Sequence, residues 1–262
     1  MAAGFAIAQA TPSLDQIVDR LEKAQADNHA NLRAYTVTRE FRVASGDRSE
    51  KTDSQVKATV NFVPPDKQTF RVDSASGNDR GIDAVKKILE SESEMRDSGT
   101  SAAFTRENYD FTLQGMGEES SRACYILGLN PKHKEHHLMK GRLWVDSQTY
   151  LPVKVEGDLS KSPSWWVKQV HVTTDFANIQ GMWLPTSTQA VADVRMFGRH
   201  TLTSEARNFN TSEQVASLSA PAIRHEVAET PAPSIANASV RRPVKRRPTR
   251  PVLLGTGVLV NR

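Results

Sequence analysis

The chain has 262 residues and a formal net charge of +4 at pH 7, a length that allows one large domain or a mid-sized domain with a long appendage. Residues 211–262 hold eight Lys+Arg against three acidic residues, and the remaining 210 hold 26 against 27. The charge of a near-neutral body does not suggest nucleic-acid binding, and no nucleic-acid partner is expected of an exported chain. The lone Cys124 excludes an intramolecular disulfide.

Residues 5–10, F-A-I-A-Q-A, look like the end of a secretory signal with a small-residue cleavage pattern, so 1–12 reads as a truncated signal or flexible terminus of an exported protein. Ser13 and Gln16 form a capping box. Leu14, Ile17, Val18, Leu21 and Ala24 then share one face of a helix. Tyr35, Val37, Phe41 and Val43 alternate as a strand whose apolar face Arg39 interrupts. Residues 44–53 read as a polar turn. Val56, Ala58, Val60 and Phe62 give a second strand, and Phe70 with Val72 a third. A loop is expected at 74–79. A second helix then carries Ile82, Val85, Ile88 and Leu89, with E-S-E-S-E-M-R as its exposed end and a small, polar loop at 99–103. Strands resume at 109–113 and 123–129 across a turn at 115–121.

The stretch 141–185 is the clearest part of the chain. Leu151, Val153 and Val155 alternate with Pro152, Lys154 and Glu156, and Val170, Val172 and Phe176 with Gln169, His171, Thr173 and Asp175. Period-two patterning marks antiparallel strands with one wet and one apolar face. Residues 146–149 make a hairpin turn between 143–145 and 151–155. Further strands are expected at 184–190, 191–197 and 201–206, about ten in all. Short connections predict a meander, and a sheet this wide curls. Residues 211–262 hold six of the thirteen prolines and no aromatic residue. They are expected to be disordered, since they bury too little apolar surface to offset ordering entropy.

No reactive constellation emerges, so no catalytic residue, metal ligand or cofactor is expected. His133, His136 and His137 sit among lysines that repel a cation, and consecutive histidines in a strand face opposite ways. Asp146, Glu156 and Asp158 fall on the outer, wet face by alternation, where no carboxylate pair is tuned for acid–base work. Cys124 lies in an apolar run and reads as inert core. Trp144, Trp165, Trp166 and Trp183 read either as packing or as an amphipathic pocket rim or membrane-facing lip.

The element order, the segment F-x-P-P-D-K-Q-T-F-R-V and G-R-L-W-V-D-S-Q-T-Y-L-P-V-K-V-E-G resemble the outer-membrane lipoprotein-sorting (LolA-like) superfamily, which also holds the amino-terminal domains of RseB/MucB-type regulators. The resemblance covers about residues 13–210. N-Y-D-F-T-L-Q-G, P-S-W-W-V-K-Q-V-H-V and D-V-R-M-F-G-R-H are similar to an uncharacterised branch. It implies an α+β, mainly β fold: a strongly curved antiparallel sheet, or open half-barrel, with two amphipathic helices covering its concave face. The expected domains are thus 1–12, a LolA-like domain over 13–210 and a tail over 211–262. The implied activity is periplasmic binding of lipoprotein or lipid acyl chains, without enzymatic chemistry. The expected cavity comprises Leu14, Ile17, Leu21, Val37, Phe41, Val60, Phe62, Phe70, Ile82, Val85, Leu89, Val153, Val155, Trp166, Val170, Val172 and Phe176, with release through movement of the helices or of 99–103. By location, Arg39 and Arg42 are candidates for the arginine with which the carrier holds its lid closed. The basic tail residues Arg241, Arg242, Lys245, Arg246, Arg247 and Arg250 offer contact with a membrane or cell-wall polymer. The alternative is an envelope-stress signalling module of the RseB/MucB type.

Overall fold

The computed structural model describes residues 12–46, 52–98, 102–165 and 167–211. The expected signal remnant, Trp166 and the basic tail therefore lie outside the described residues. The described residues fall within one compact unit. Its elements are α1 (Leu14–Ala30), β1 (Tyr35–Ser45), β2 (Thr52–Val63), β3 (Lys67–Gly77), α2 (Asp79–Asp97), β4 (Tyr109–Glu119), β5 (Arg122–Pro131), β6 (Met139–Asp146), β7 (Pro152–Leu159), β8 (Val167–Ile179), β9 (Met182–Val194) and β10 (Gly198–Thr211). The ten strands make a single sheet in the order β3-β2-β1-β10-β9-β8-β7-β6-β5-β4, every neighbouring pair antiparallel. This is the expected meander, with α2 carrying the chain from one edge strand to the other.

Both helices begin as their sequences require. The Ser13 hydroxyl accepts from the Gln16 N–H at 3.3 Å while the Gln16 side chain accepts from the Ser13 N–H at 3.0 Å, the reciprocal box read above. Asn78 caps α2 by accepting from the Arg80 N–H at 2.9 Å. The amino end of α2 is also tied to β2. Asn78 N–H donates to the Asp53 carbonyl at 3.0 Å and to the Ser54 hydroxyl at 3.1 Å, and a Cβ on Gly81 would stand 2.4 Å from that hydroxyl. Glycine there permits the close approach.

Several local expectations are corrected. Residues 74–77 continue β3 rather than forming a loop. Residues 184–197 are not two strands: β9 runs unbroken to Val194 and turns at 195–197. The β4–β5 turn is not 115–121 but the two residues Ser120 and Ser121, both at positive φ (51° and 59°), while Gly115 (φ 132°) sits at a bulge. That geometry matches the right-handed twist of a hairpin. The E-S-E-S-E-M-R end of α2 is not wholly exposed, because Glu92 is only 32% exposed and meets Arg39.

Strand register shows which face is apolar. One row of directly opposed residues crosses all ten strands: Ala75, Val56, Phe41, Ser204, Thr188, Thr174, Val155, Leu143, Leu127 and Leu113. Opposed residues project to the same side. At one end of this face Ile17, Val18 and Leu21 of α1 join Tyr109, Tyr125, Leu127, Leu129, Leu143, Val145 and Val155. At the other end Val85 and Leu89 of α2 join Val37, Phe41, Val56, Ala58, Val60 and Phe62. The two helices thus share one face of the sheet. A third, small cluster of Cys124, Trp144, Val153 and Trp183 packs separately.

Candidate functional site

Between the two helix-bearing clusters, β8, β9 and β10 present a different surface. The row Leu202, Ala190, Val172, Gly157 and Gly141 runs across it, and beside it Ser204, Thr188 and Thr174. Val172, Thr174, Ala190, Ala192 and Leu202 are each only partly buried. The side chains are small, and Gly141 and Gly157 admit none. A Cβ on either would fall 2.0–2.4 Å from a carbonyl oxygen of the facing strand. The Thr174 and Thr188 hydroxyls satisfy one another at 3.2 Å. This strip of small, partly buried side chains between the α1 and α2 clusters is the furrow.

A charged clasp stands at its α2 side. Arg39 interrupts the apolar row of β1, as its sequence position indicates, and its guanidinium is paired bidentately with Glu92 of α2. Its Nε donates to the Ser204 hydroxyl at 3.2 Å, and its Cζ lies 4.7 Å from the centre of the Phe41 ring. The arginine side chain is 17% exposed. A half-buried cation of this kind is tolerable because every face of it is occupied by a carboxylate, a hydroxyl or an aromatic ring. Burial raises the Tyr35 hydroxyl pKa, with Arg96 and Arg39 opposing.

At the α1 side the contacts are polar and numerous. The Asn28 side chain donates to the Trp183 carbonyl at 3.0 Å and accepts from its N–H at 2.8 Å. Arg106 reaches Asp19 at 2.7 Å and Glu22 at 3.3 Å, and Arg20 donates to the Tyr150 hydroxyl at 2.6 Å. Gln25 brackets Phe104, accepting from its N–H and donating to its carbonyl, each at 3.0 Å. Helix α1 is thereby bonded at both its ends and its middle, whereas α2 has the Asn78–Ser54 tie and the Arg39–Glu92 clasp.

The predicted cavity residues distribute unevenly over this surface. Ile17, Leu21 and Val155 are in the α1 cluster, with Leu14 packed against it. Val37, Phe41, Val60, Phe62, Val85 and Leu89 are in the α2 cluster, with Phe70 and Ile82 against it. Val170 and Val172 line the furrow, and Phe176, opposite a register shift in β8, touches both the α1 cluster and the third cluster. Val153 departs from the rest. A register shift between Trp144 and Val145 falls opposite it, and it packs with Cys124, Trp144 and Trp183. Ala190, Ala192, Thr188 and Glu92 were missed, because alanine, threonine and a helix glutamate carry little apolar signal; Leu202, which packs against the α2 cluster, was left out despite its strong one.

Outside the furrow, Asp146 is not on a wet face. It is 4% exposed and accepts from Arg122 at 2.9 Å and from the Gln148 and Thr149 N–H groups at 2.9 and 2.7 Å. Burial works against its charge, but the Thr149, Arg122 and Gln148 bonds outweigh it and hold the carboxyl below its usual range. It therefore serves the β6–β7 turn. Cys124 is buried, and burial together with the nearby Asp146 pushes its thiol up to about 11. Among the described residues no group of three or more His, Cys, Asp or Glu is placed to hold a metal, and no helix is long and apolar enough to cross a membrane.

A family model described as "uncharacterized protein" matches residues 80–215, from α2 past the end of β10. The chain belongs to that family. The matched region contains every strand of the furrow and the helix that carries Glu92. Among curated proteins no sequence matches. Solved structures are similar as well, and three of them illustrate the likeness. A putative outer membrane lipoprotein-sorting protein domain from Vibrio parahaemolyticus is 15% identical, with a TM-score of 0.45 over 74% of this chain and 92% of that one. A LolA superfamily protein from Nitrosomonas europaea is 13% identical, with a TM-score of 0.37 over 78% and 97%. In the complex of MucA and MucB from Pseudomonas aeruginosa, the matched chain is 12% identical, with a TM-score of 0.26 over 72% and 93%.

Proposed function

We propose that this protein binds a hydrophobic ligand, the acyl chains of a lipid or lipoprotein, on the helix-bearing face of its sheet, and that it does so in the periplasm without catalysing a reaction. The observation that carries the reading is the furrow itself. Close packing would have covered Val172, Ala190 and Ala192, which are left partly open between two well-filled clusters. In the proposed mechanism this is the concave face, and α2 swings outward about its Asn78–Ser54 tie when Arg39 and Glu92 part. The apolar residues of the α2 cluster, Phe41, Val60, Phe62, Val85 and Leu89, then join the furrow as cavity wall. Each buried methylene contributes about 0.8 kcal/mol. One chain of ordinary length therefore supplies more than the several kcal/mol needed to lift a helix of this kind.

The test is native mass spectrometry of the full chain purified from an envelope extract, followed by lipid extraction. Wild type is expected to carry acyl species, and Ala190→Leu/Thr188→Leu, which fills the furrow without adding charge, is expected to emerge stripped of them while keeping its far-ultraviolet circular dichroism. A ligand-free wild type that also takes up no added phospholipid or lipopeptide would mean that the face is sealed core. The signalling reading, in which a protein contacts this surface, would then take its place.

A further inference from the structure

One end of the sheet gathers a second, unrelated surface. Val167 at the start of β8 pairs with Val194 at the end of β9, so the 160–165 segment and the 195–197 turn stand side by side. Three large apolar residues are largely exposed there: Trp165 79%, Met196 94% and Phe197 56%. They are not scattered singly, as most exposed apolar residues are. Arg80, at the amino end of α2, places its guanidinium 5.2 Å from the centre of the Phe197 ring and fixes the turn against the helix.

Positive charge surrounds them. The strand and helix ends at this side of the sheet comprise 45–46, 52–53, 78–80, 132–137, 160–165, 167–168 and 195–199. They carry seven Lys+Arg against three carboxylates, with His133, His136 and His137 in addition. Lys134, Lys161, Lys168 and Arg195 have no ion pair with another described residue. At the same end of the sheet a hollow of about 420 Å³ opens, lined by His133, Lys134, Lys140, Ser160 and Lys168 among others. Its one carboxylate, Asp158, is bonded by His171 at 3.0 Å. The hollow thus sets three ammonium groups, those of Lys134, Lys140 and Lys168, against the single carboxylate of Asp158.

We propose that this end of the sheet docks on an anionic lipid surface, with Trp165, Met196 and Phe197 inserted among the headgroups and the lysines of the hollow holding lipid phosphates. Aromatic and sulfur-bearing side chains ringed by cations suit the headgroup boundary, where apolar area and surface charge act together. The proposal goes beyond ligand binding in the furrow and stands whether or not the furrow holds a chain. If both hold, the row Val170, Ala192 and His200 is the furrow's last before this rim, and the docked protein has its furrow open toward the bilayer.

Vesicles of phosphatidylcholine, with and without phosphatidylglycerol and with bromine-labelled acyl chains, test it on the full chain. Wild type is expected to co-sediment with the phosphatidylglycerol vesicles and to show bromine quenching of tryptophan fluorescence that Trp165→Phe largely removes. Trp165→Ser/Met196→Ser/Phe197→Ser and, separately, Lys134→Ser/Lys168→Ser are each expected to lower partitioning on the order of tenfold. Substitutions this exposed leave the fold in place, and an unchanged Tm confirms it. The basic tail is the competing source of lipid affinity. A chain with Arg241, Arg242, Lys245, Arg246, Arg247 and Arg250 changed to serine is expected to keep the Trp165 quenching. Loss of quenching in that chain, wild-type partitioning of the rim variants, or absence of vesicle binding would each overturn the proposal. None of those results bears on ligand uptake in the furrow.

Discussion

Two aspartates with opposite surroundings show how local chemistry divides. Asp146 has three donors aimed at it and a lowered pKa despite burial. Its stabilising effect is present above the unfolded carboxylate value of about 3.9 and is lost as pH falls through the folded value. Asp175 is the reverse. Burial raises its pKa, Lys154 opposes, and Glu119 adds to the rise. Its charge therefore costs stability above the unfolded value, and protonation relieves the cost. Asp146→Asn is expected to lose roughly 1–3 kcal/mol at neutral pH by weakening a buried turn network. Asp175→Asn is expected to raise Tm at pH 7, with the gain vanishing as pH drops into the carboxylate range. Thermal melts across pH decide both, and a lower Tm for Asp175→Asn at pH 7 contradicts the second. Neither environment was legible in the sequence. Alternation assigned Asp146 to water because nothing local announces that Cys124, Trp144 and Trp183 build a cluster there.

At the scale of elements, the sequence was most readable where apolar residues are large. The capping box of α1, the β6–β7–β8 meander and the apolar stripes of both helices all follow from local pattern. The misreadings share a cause, which is that ladders extend through residues with weak strand signals. β3 continues through Ser74, Ala75 and Ser76, and β4 through Gly115 and Gly117, because neighbouring strands supply the hydrogen bonds. The β4–β5 turn was drawn too wide, at 115–121, for a related reason, since Ser-Ser lacks the Asn-Gly signature of a two-residue hairpin. With both residues at positive φ, the turn carries strain that asparagine and glycine avoid. Ser120→Asn/Ser121→Gly is thus expected to stabilise the protein by about 0.5–2 kcal/mol. A urea midpoint that does not rise would show that the turn is relaxed as it stands.

For the whole molecule the open question is what holds α2 down, and Arg39 with Glu92 gives it a measurable form. The sequence showed that Arg39 breaks an apolar row, but its partner is 53 residues away, across two strands and most of a helix. A pair that is 17% and 32% exposed lies between the surface and buried regimes. Breaking it strands a half-buried ion, whereas replacing both members with apolar groups removes the desolvation cost altogether. Glu92→Gln is accordingly expected to lose about 1–3 kcal/mol in urea unfolding, and Arg39→Met/Glu92→Leu to match or exceed wild type. Ligand exchange should order differently if α2 is the moving wall. Ions that part regain water, so the native clasp lowers the cost of opening, while Met and Leu would have to be pulled from contact with Phe41 and recover nothing. Stopped-flow release of a fluorescent acyl ligand should then be fastest in Glu92→Gln, slower in wild type and slowest in the apolar pair. Equal release rates in all three would fix α2 as static and move the opening to α1.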